Sequence, residues 1–490
     1  MAGSDVFVWV LVVVLLVDFG VRIVAIIVVP RNRRPTSGMA WLLAILFIPY
    51  VGILAFLLIG NTKLPRARRA KQAEVSRFIM ESTDGMEHVS QQDSWPPWLE
   101  SVVLLNRNLG AMPLVGENRA ELIGDYDESL TAMTREIARA RAFVHVEFYI
   151  LACDQTTAPF FEALAAAIRR GVRVRVLLDH VAWLRTKGHR RTLNKLKQIG
   201  AEWRFTLPVQ PLHGKYQRFD LRNHRKLLIV DGAVGFMGSQ NIIDCSYNKR
   251  RNRKRGLRWQ DLMARFDGPV VAGLNAIFIT DWYTETGELL PRETEPIRSE
   301  RSEPSGEALD CQVVPSGPGF ESENNLRLFL TLLYSAQERI VISSPYFVPD
   351  EAMLYAITSA TERGVAVELF VSEIGDQALV YHAQRSYYEA LLRAGVIIWM
   401  YRAPNILHAK HFTIDDDVAV IGSSNMDMRS FSLNMEVSLM VCGKSFVGQM
   451  RDVEAGYRAC SRQLTLDEWM RQPLKSTILD NLARLTSGLQ

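Results

Sequence analysis

At 490 residues, 48% hydrophobic and 22% charged, the chain is too long for one ordinary core and too apolar for wholesale disorder, so two or three domains are expected. A net charge of +4 points to no class of partner by itself; what counts is where the basic residues sit. Five scattered cysteines (Cys153, Cys245, Cys311, Cys442, Cys460) form no CxxC pair and no metal-type cluster, which reads as unpaired thiols in a reducing compartment.

The chain opens with an apolar run over residues 6–29, whose 24 residues would rise about 36 Å as a helix, enough for about 30 Å of hydrocarbon. Residues 40–59 form a second apolar run, and a polar turn around Arg31, Arg33 and Arg34 separates the two. A transmembrane hairpin of two helices is expected. A cleaved signal peptide would need a basic start, and the first five residues hold no Lys or Arg. Lys63, Arg66, Arg68, Arg69 and Lys71 outnumber the three arginines of the turn, which favours a cytoplasmic catalytic part. Asp18 and Arg22 lie four apart within the first run, on one helix face, where each partly neutralises the other.

From about Leu130 a helical pattern leads into an apolar run at 143–151. A second helix at 160–170 leads into 171–179, and a third at 193–200 into 201–205. The order returns later: 326–339 into 340–347, 355–363 into 364–371, and 388–394 into 395–399. Short β-branched runs alternating with helices closed by Gly spell α/β units around a buried sheet. The stretch 284–308, rich in Glu, Pro, Ser and Arg, reads as a polar linker. The expected layout is an anchor at 1–62, a juxtamembrane segment at 63–115, a first half at 116–283, the linker, and a second half at 309–490.

Each half closes with the same constellation. His224, Lys226, Asp231, Gly238 and Asn241 recur at identical spacing as His408, Lys410, Asp415, Gly422 and Asn425. Side chains two apart on a strand share a face, so each His and Lys would enter one pocket. The Asp sits at a hairpin turn, and the returning strand brings Ser239 and Asn241, or Ser423 and Asn425, beside the pair. An imidazole, an ammonium and an amide make a phosphate grip, and two such sets can divide nucleophilic and acid/base work between two histidines. The candidate catalytic set is therefore His224, His408, Lys226, Lys410, Asp231 and Asp415, with a structural role favoured for the two Asp over direct proton transfer. Ser239, Asn241, Ser423 and Asn425 are the candidate substrate-binding residues. No metal or other cofactor is called for.

Two HxKxxxxD motifs with trailing GSxN are similar to the signature of the phospholipase D superfamily. Arg33-Arg34-Pro35, Ala40-Trp41-Leu42-Leu43-Ala44-Ile45 with Pro49 and Gly52, Trp259-Gln260-Asp261, Gly268-Pro269, Asp281-Trp282, the run from Ser344 through Asp350 and the run from Ser432 through Glu436 extend the likeness to bacterial cardiolipin synthases over nearly the whole chain. The resemblance implies two pseudo-symmetric phospholipase D-like α/β domains sharing one active site, preceded by the transmembrane helical hairpin. It implies transfer of a phosphatidyl group from one phosphatidylglycerol to another through a phosphatidyl-histidine, with glycerol released. It further implies His224 as nucleophile and His408 as acid/base, with Asp261 and Glu436 orienting the imidazoles. Partners would be phosphatidylglycerol and other anionic phospholipids in a cell membrane and no nucleic acid; a homodimer is compatible with the helices but not demanded.

A membrane-bound phospholipase D that hydrolyses, or uses another alcohol, is the runner-up. A nuclease fits poorly with an anchor, and a lipid-binding scaffold fits poorly with two intact motifs. The segment 249–258 holds seven basic residues in ten, a solvated loop or a docking surface for anionic lipid worth about 1 kcal/mol per charge.

Overall fold

The computed structural model describes residues 2–31, 35–61, 63–83, 95–210, 215–290 and 307–485, and divides into two compact units, 1–63 and 64–490.

The first unit opens with helix Ala2–Val28, in which Phe7–Val28 has a mean hydropathy of 2.8 and is long enough to cross a membrane. Asp18 and Arg22 pair at 2.8 Å, as their spacing predicts. The second apolar run is not one straight span. It divides into helices Pro35–Phe47 and Pro49–Ile59, about 20 and 17 Å long, each shorter than the hydrocarbon layer. Pro49 has no N–H to continue a helix and pushes Ile48 to φ −133°. The two helices then fold back on one another. Trp41 and Phe56 meet edge to face at 5.5 Å, and a Cβ on residue 52 would lie 2.6 Å from the Ala44 carbonyl oxygen, so the crossing requires Gly52.

Among the described residues, the second unit is built on one 16-stranded sheet. In the first half, Phe143–Phe148, Arg173–Asp179 and Glu202–Thr206 run parallel, with helices Tyr126–Arg139, Ala158–Arg169 and His189–Ile199 in the crossovers. On the other side of Phe143–Phe148, strands Lys226–Val230, Val234–Gly238, Met263–Asp267 and Leu114–Ile123 follow antiparallel. The second half repeats this order: Arg339–Ser343, Ala366–Ser372 and Ile397–Tyr401 are parallel, then His411–Ile414, Val418–Gly422, Asn434–Cys442 and Leu309–Ser316 follow antiparallel. Leu114–Ile123 pairs with Leu309–Ser316 and welds the halves into a continuous sheet.

The periodicities explain these elements. Every residue of Phe143–Phe148 is buried, as a two-sided parallel sheet requires. Asp125 and Asp350 cap helices Tyr126–Arg139 and Glu351–Glu362 by accepting their first free N–H groups. Gly171 and Gly364, both at φ 90°, turn the chain from helix to strand at equivalent places in the repeat. Of the juxtamembrane stretch, helix Leu99–Gly110 buries Leu99 and Val102 in the core of the second half, and helix Arg66–Ser82 is clasped by two 2.7 Å bonds from Arg68 to Glu285. Residues 284–286 of the expected linker complete helix Val270–Thr286, while 291–306 lie outside the described residues.

Candidate active site

The two histidines stand where short strands cross from one half into the other. Arg222–Asn223, just before His224, pairs in parallel with the start of Asn434–Cys442 from the second half. Asn405–Leu407, just before His408, pairs in parallel with Arg258–Gln260 from the first. The His224 N–H donates to the Met435 carbonyl at 2.9 Å, and the His408 N–H to the Gln260 carbonyl at 2.7 Å. Each imidazole backbone is thus tethered to the residue just before the other half's acid.

The side chains repeat the exchange. His224 Nδ1 lies 3.0 and 3.1 Å from the two Glu436 oxygens, and His408 Nδ1 lies 2.6 Å from Asp261 Oδ1. Both expected orienting acids reach an imidazole, and each reaches the one carried by the opposite half. The serines hold the acids: Ser239 Oγ donates to Asp261 at 2.7 Å, and Ser423 Oγ donates to Glu436. Each serine oxygen also accepts a backbone N–H, from Leu262 and Val437 respectively, both at 3.0 Å. The serine–acid–histidine chain of hydrogen bonds is the same in both sets.

With Nδ1 committed to a carboxylate, Nε2 is the nitrogen left for chemistry on each ring. Burial and the neighbouring lysines draw the His224 pKa down to about 4 against the upward pull of Glu436, and burial and Lys410 lower that of His408. Each histidine also feels the lysine of the other motif, so one electrostatic site contains both. Burial pushes the Asp261 and Glu436 carboxyls up, but their histidines, the lysines and the serine hydroxyls together hold them below the usual range. Both acids are therefore charged, and each faces an imidazole whose affinity for a proton burial lowers.

The lysines complete the grip. Lys410 Nζ donates to the His408 carbonyl at 2.8 Å and lies 3.3 Å from both ring nitrogens, while Lys226 Nζ donates to the His224 carbonyl and stands 5.6 Å over the Tyr149 ring. Burial lowers Lys226 to about 7 and Lys410 to about 8, so both gain charge readily when an anion enters.

The turn position of Asp231 and Asp415 already favours a structural role, and their contacts agree with it. Asp231 and Asp415 stand at the hairpin turns with φ 54° and 49°, and their oxygens are spent on backbone. Asp231 accepts the N–H groups of Arg141, Ala142 and Phe143; Asp415 accepts those of Gln337, Glu338 and Arg339. They pin the start of the central strand of each half and do not face the imidazoles. Ser239 and Ser423 touch the acids, not an open pocket. Asn241 bridges the Ile150 N–H and the Tyr247 hydroxyl, at 3.1 and 3.0 Å, and Asn425 Oδ1 is buried with no partner among the described residues.

Several side chains at the site escaped the sequence reading. The Tyr149 ring packs edge-on 4.9 Å from His224, and the rings of Tyr247 and Tyr346 each lie 6.4 Å from His408. Behind His224, Arg225 pairs with Asp281 and donates to the Glu436 carbonyl at 3.1 Å, and Asn223 donates to Glu147 at 2.6 Å. Burial, reinforced by Asp281, holds the Glu147 carboxyl well above the usual range. The available signal was the repeat itself: Tyr149 and Tyr346 both follow the central strand of their half.

Two mirrored His–Lys sets, each oriented by the opposite half of a duplicated α/β sheet, define a phospholipase D-type phosphodiester site. The family described as "Cardiolipin synthase, PLD-like domain" matches residues 133–282 and 329–453, and "Phospholipase_D-nuclease N-terminal" matches 20–61. The chain is 33% identical over 468 residues to cardiolipin synthase A of Proteus mirabilis (strain HI4320), covering 94% of each, and 32% identical over 470 residues to that of Klebsiella pneumoniae (strain 342), again covering 94% of each. The crystal structure of phosphatidylserine synthase from Haemophilus influenzae Rd KW20 shares the fold, with a TM-score of 0.59 at 16% identity, over 79% of this chain and 99% of that one. The chain belongs to the cardiolipin synthase family of the phospholipase D superfamily, membrane-anchored enzymes of the phosphatidyltransferase type.

Proposed function

We propose that this protein joins two phosphatidylglycerol molecules into cardiolipin through a phosphatidyl-histidine, releasing glycerol. The observation that carries the reading is the reciprocal pair of carboxylate-held imidazoles in one buried site. His224 Nε2 attacks the phosphorus of the first lipid, and the P–O bond to its headgroup glycerol breaks. The leaving alkoxide takes a proton from His408. A terminal hydroxyl of the second lipid then gives its proton to His408 and attacks the phosphorus, and the P–N bond breaks to free His224. Lys226 and Lys410 steady the phosphoryl oxygens in both steps.

The low proton affinity of the empty site fits the nucleophile and opposes the acid. The entering phosphodiester resolves this, because its negative charge beside His408 raises that ring's affinity for a proton. Assigning His224 as nucleophile follows the family order and is part of the proposal. In the same reading the catalytic unit faces the cytosol, in keeping with its five free cysteines.

The test is a product analysis of the full-length protein in nanodiscs with headgroup-labelled phosphatidylglycerol. Cardiolipin with matching glycerol release is expected. Phosphatidic acid as the main product would replace transfer with hydrolysis. Rapid acid-free quench and mass spectrometry of the unmutated protein during turnover should find a phosphatidyl adduct on His224; an adduct on no histidine would overturn the covalent route.

A further inference from the structure

Helix Leu474–Arg484 docks by its polar side. Asp480, 2% exposed, lies 2.6 Å from His382 Nδ1 and 3.2 Å from Arg385 Nε, while Arg385 Nη2 donates to Gln472 at 2.7 Å and to Ser476 at 3.1 Å. Leu474, Ile478, Leu482 and Leu485, spaced by four, four and three, form one helix face, with Leu479 beside them. That face points outward, with exposures from 43% at Leu479 to 83% at Leu485. Leu379, on the adjoining helix Ala378–Arg385, is 52% exposed. An ordinary surface helix does the reverse, hiding its leucines and showing its polar side.

This surface leads toward His408. Asp376 and Gln377, just before helix Ala378–Arg385, both bond the Tyr346 hydroxyl at 3.0 Å, and Tyr346 packs beside His408. Ile374 on the same loop packs with Leu257, Trp259 and Ile406, which root the basic segment 249–258. All seven basic side chains of that segment are exposed. Along helix Leu474–Arg484 itself, Lys475 and Arg484 are exposed, and its one acid, Asp480, is buried in ion pairs. An apolar stripe with exposed cations and no exposed carboxylate of its own suits an anionic bilayer surface. A second copy of the chain suits it less, because a twofold contact would set like charges together.

We propose that the outer face of helix Leu474–Arg484, with Leu379 and the basic segment, is a membrane-docking surface separate from the N-terminal anchor, and that it brings the Tyr346 side of the histidine site toward anionic lipid headgroups. The occupant is the bilayer surface itself. This goes beyond the cardiolipin reading and does not depend on it.

The test uses the full-length protein, one copy per nanodisc, in phosphatidylglycerol–phosphatidylcholine discs doped with doxyl-labelled lipid. In a Cys460→Ser background, an environment-sensitive dye is attached at Ile478→Cys, and at Tyr355→Cys as a control on the outer face of helix Glu351–Glu362. Lipid quenching should be several-fold stronger at 478 than at 355. Equal quenching overturns the proposal, as does a blue-shifted 478 dye that appears only with two copies per disc, which would make the occupant another chain. As a second readout, Ile478→Glu with Leu482→Glu should lower turnover of bilayer phosphatidylglycerol about ten-fold, the loss expected from withdrawing two apolar side chains from lipid, and leave a dispersed short-chain lipid unaffected. Unchanged bilayer turnover, or equal loss on both substrates, counts against it. Because quenching reads position and not chemistry, it separates failure here from failure of the proposed reaction.

Discussion

Glu436 sits 3.0 Å from the imidazole of His224, although 212 residues and the boundary between the two halves separate them in sequence. Asp261 holds His408 in the mirror-image way, across 147 residues. Neither half therefore contains a complete histidine–acid pair, and each borrows the acid of the other.

This exchange predicts a cross-half pattern of epistasis. Glu436→Gln should disable His224 and Asp261→Asn should disable His408, each lowering kcat by about a hundred- to a thousand-fold as the ring loses its fixed tautomer. His224→Ala combined with Glu436→Gln should be no worse than His224→Ala alone. Residual rates of the single and double variants measure this, and simple additivity would show that the acid acts elsewhere.

The lysines set the alkaline limb of the pH profile. Burial holds Lys226 near 7, with Lys410 adding to the lowering, and burial holds Lys410 near 8, in both cases against the pull of Glu436 and Asp261. Raising pH through this window removes the charges that bind phosphate, so kcat/KM for the free enzyme should fall from pH 7 to 8 upward. On the acid side it should fall as His224 takes a proton, toward pH 4. A bound phosphodiester stabilises the ammonium form, so the alkaline limb of kcat should lie higher than that of kcat/KM. Lys226→Arg, which cannot deprotonate in this range, should flatten the limb while lowering the rate.

Asp231 and Asp415 should behave as structural residues despite belonging to the repeated motif. Their carboxylates satisfy three backbone N–H groups each at the head of a central strand. Asp231→Asn should cost about 2 kcal/mol of stability, the order expected when charge-assisted hydrogen bonds to buried amides are weakened. Below the melting temperature kcat should stay within a few-fold of the parent. Thermal unfolding followed alongside turnover distinguishes this from a loss confined to kcat.

The fold-back of helices Pro35–Phe47 and Pro49–Ile59 predicts a topology. If Ala2–Val28 alone crosses the bilayer and the paired short helices re-enter, Met1 and Lys63 lie on opposite faces; two straight spans would place them on the same face. Reporters of membrane sidedness at the N-terminus and at position 63 of the full chain read this directly. Gly52→Leu should disrupt the crossing, since even a Cβ there meets the Ala44 carbonyl at 2.6 Å, and should lower the yield of folded protein.

The five-position repeat, the strand–helix alternation and the long first apolar run were legible in the sequence because each depends on residues close together in the chain. Strand period, helix period and turn chemistry are local, and a duplicated motif announces itself by spacing. The fold of the second apolar run was harder to read, because hydropathy counts residues and does not register a proline that stops a helix halfway. The roles of Ser239 and Ser423 were also hidden, since a polar residue beside a catalytic one looks alike whether it faces the substrate or the backbone, whereas the turn position of Asp231 and Asp415 already favoured a structural role. Tertiary structure alone decided which acid serves which histidine. The sequence places Asp261 after His224 and Glu436 after His408, but short parallel strands carry each histidine into the opposite half, and only the closed sheet brings the partners into hydrogen-bonding range.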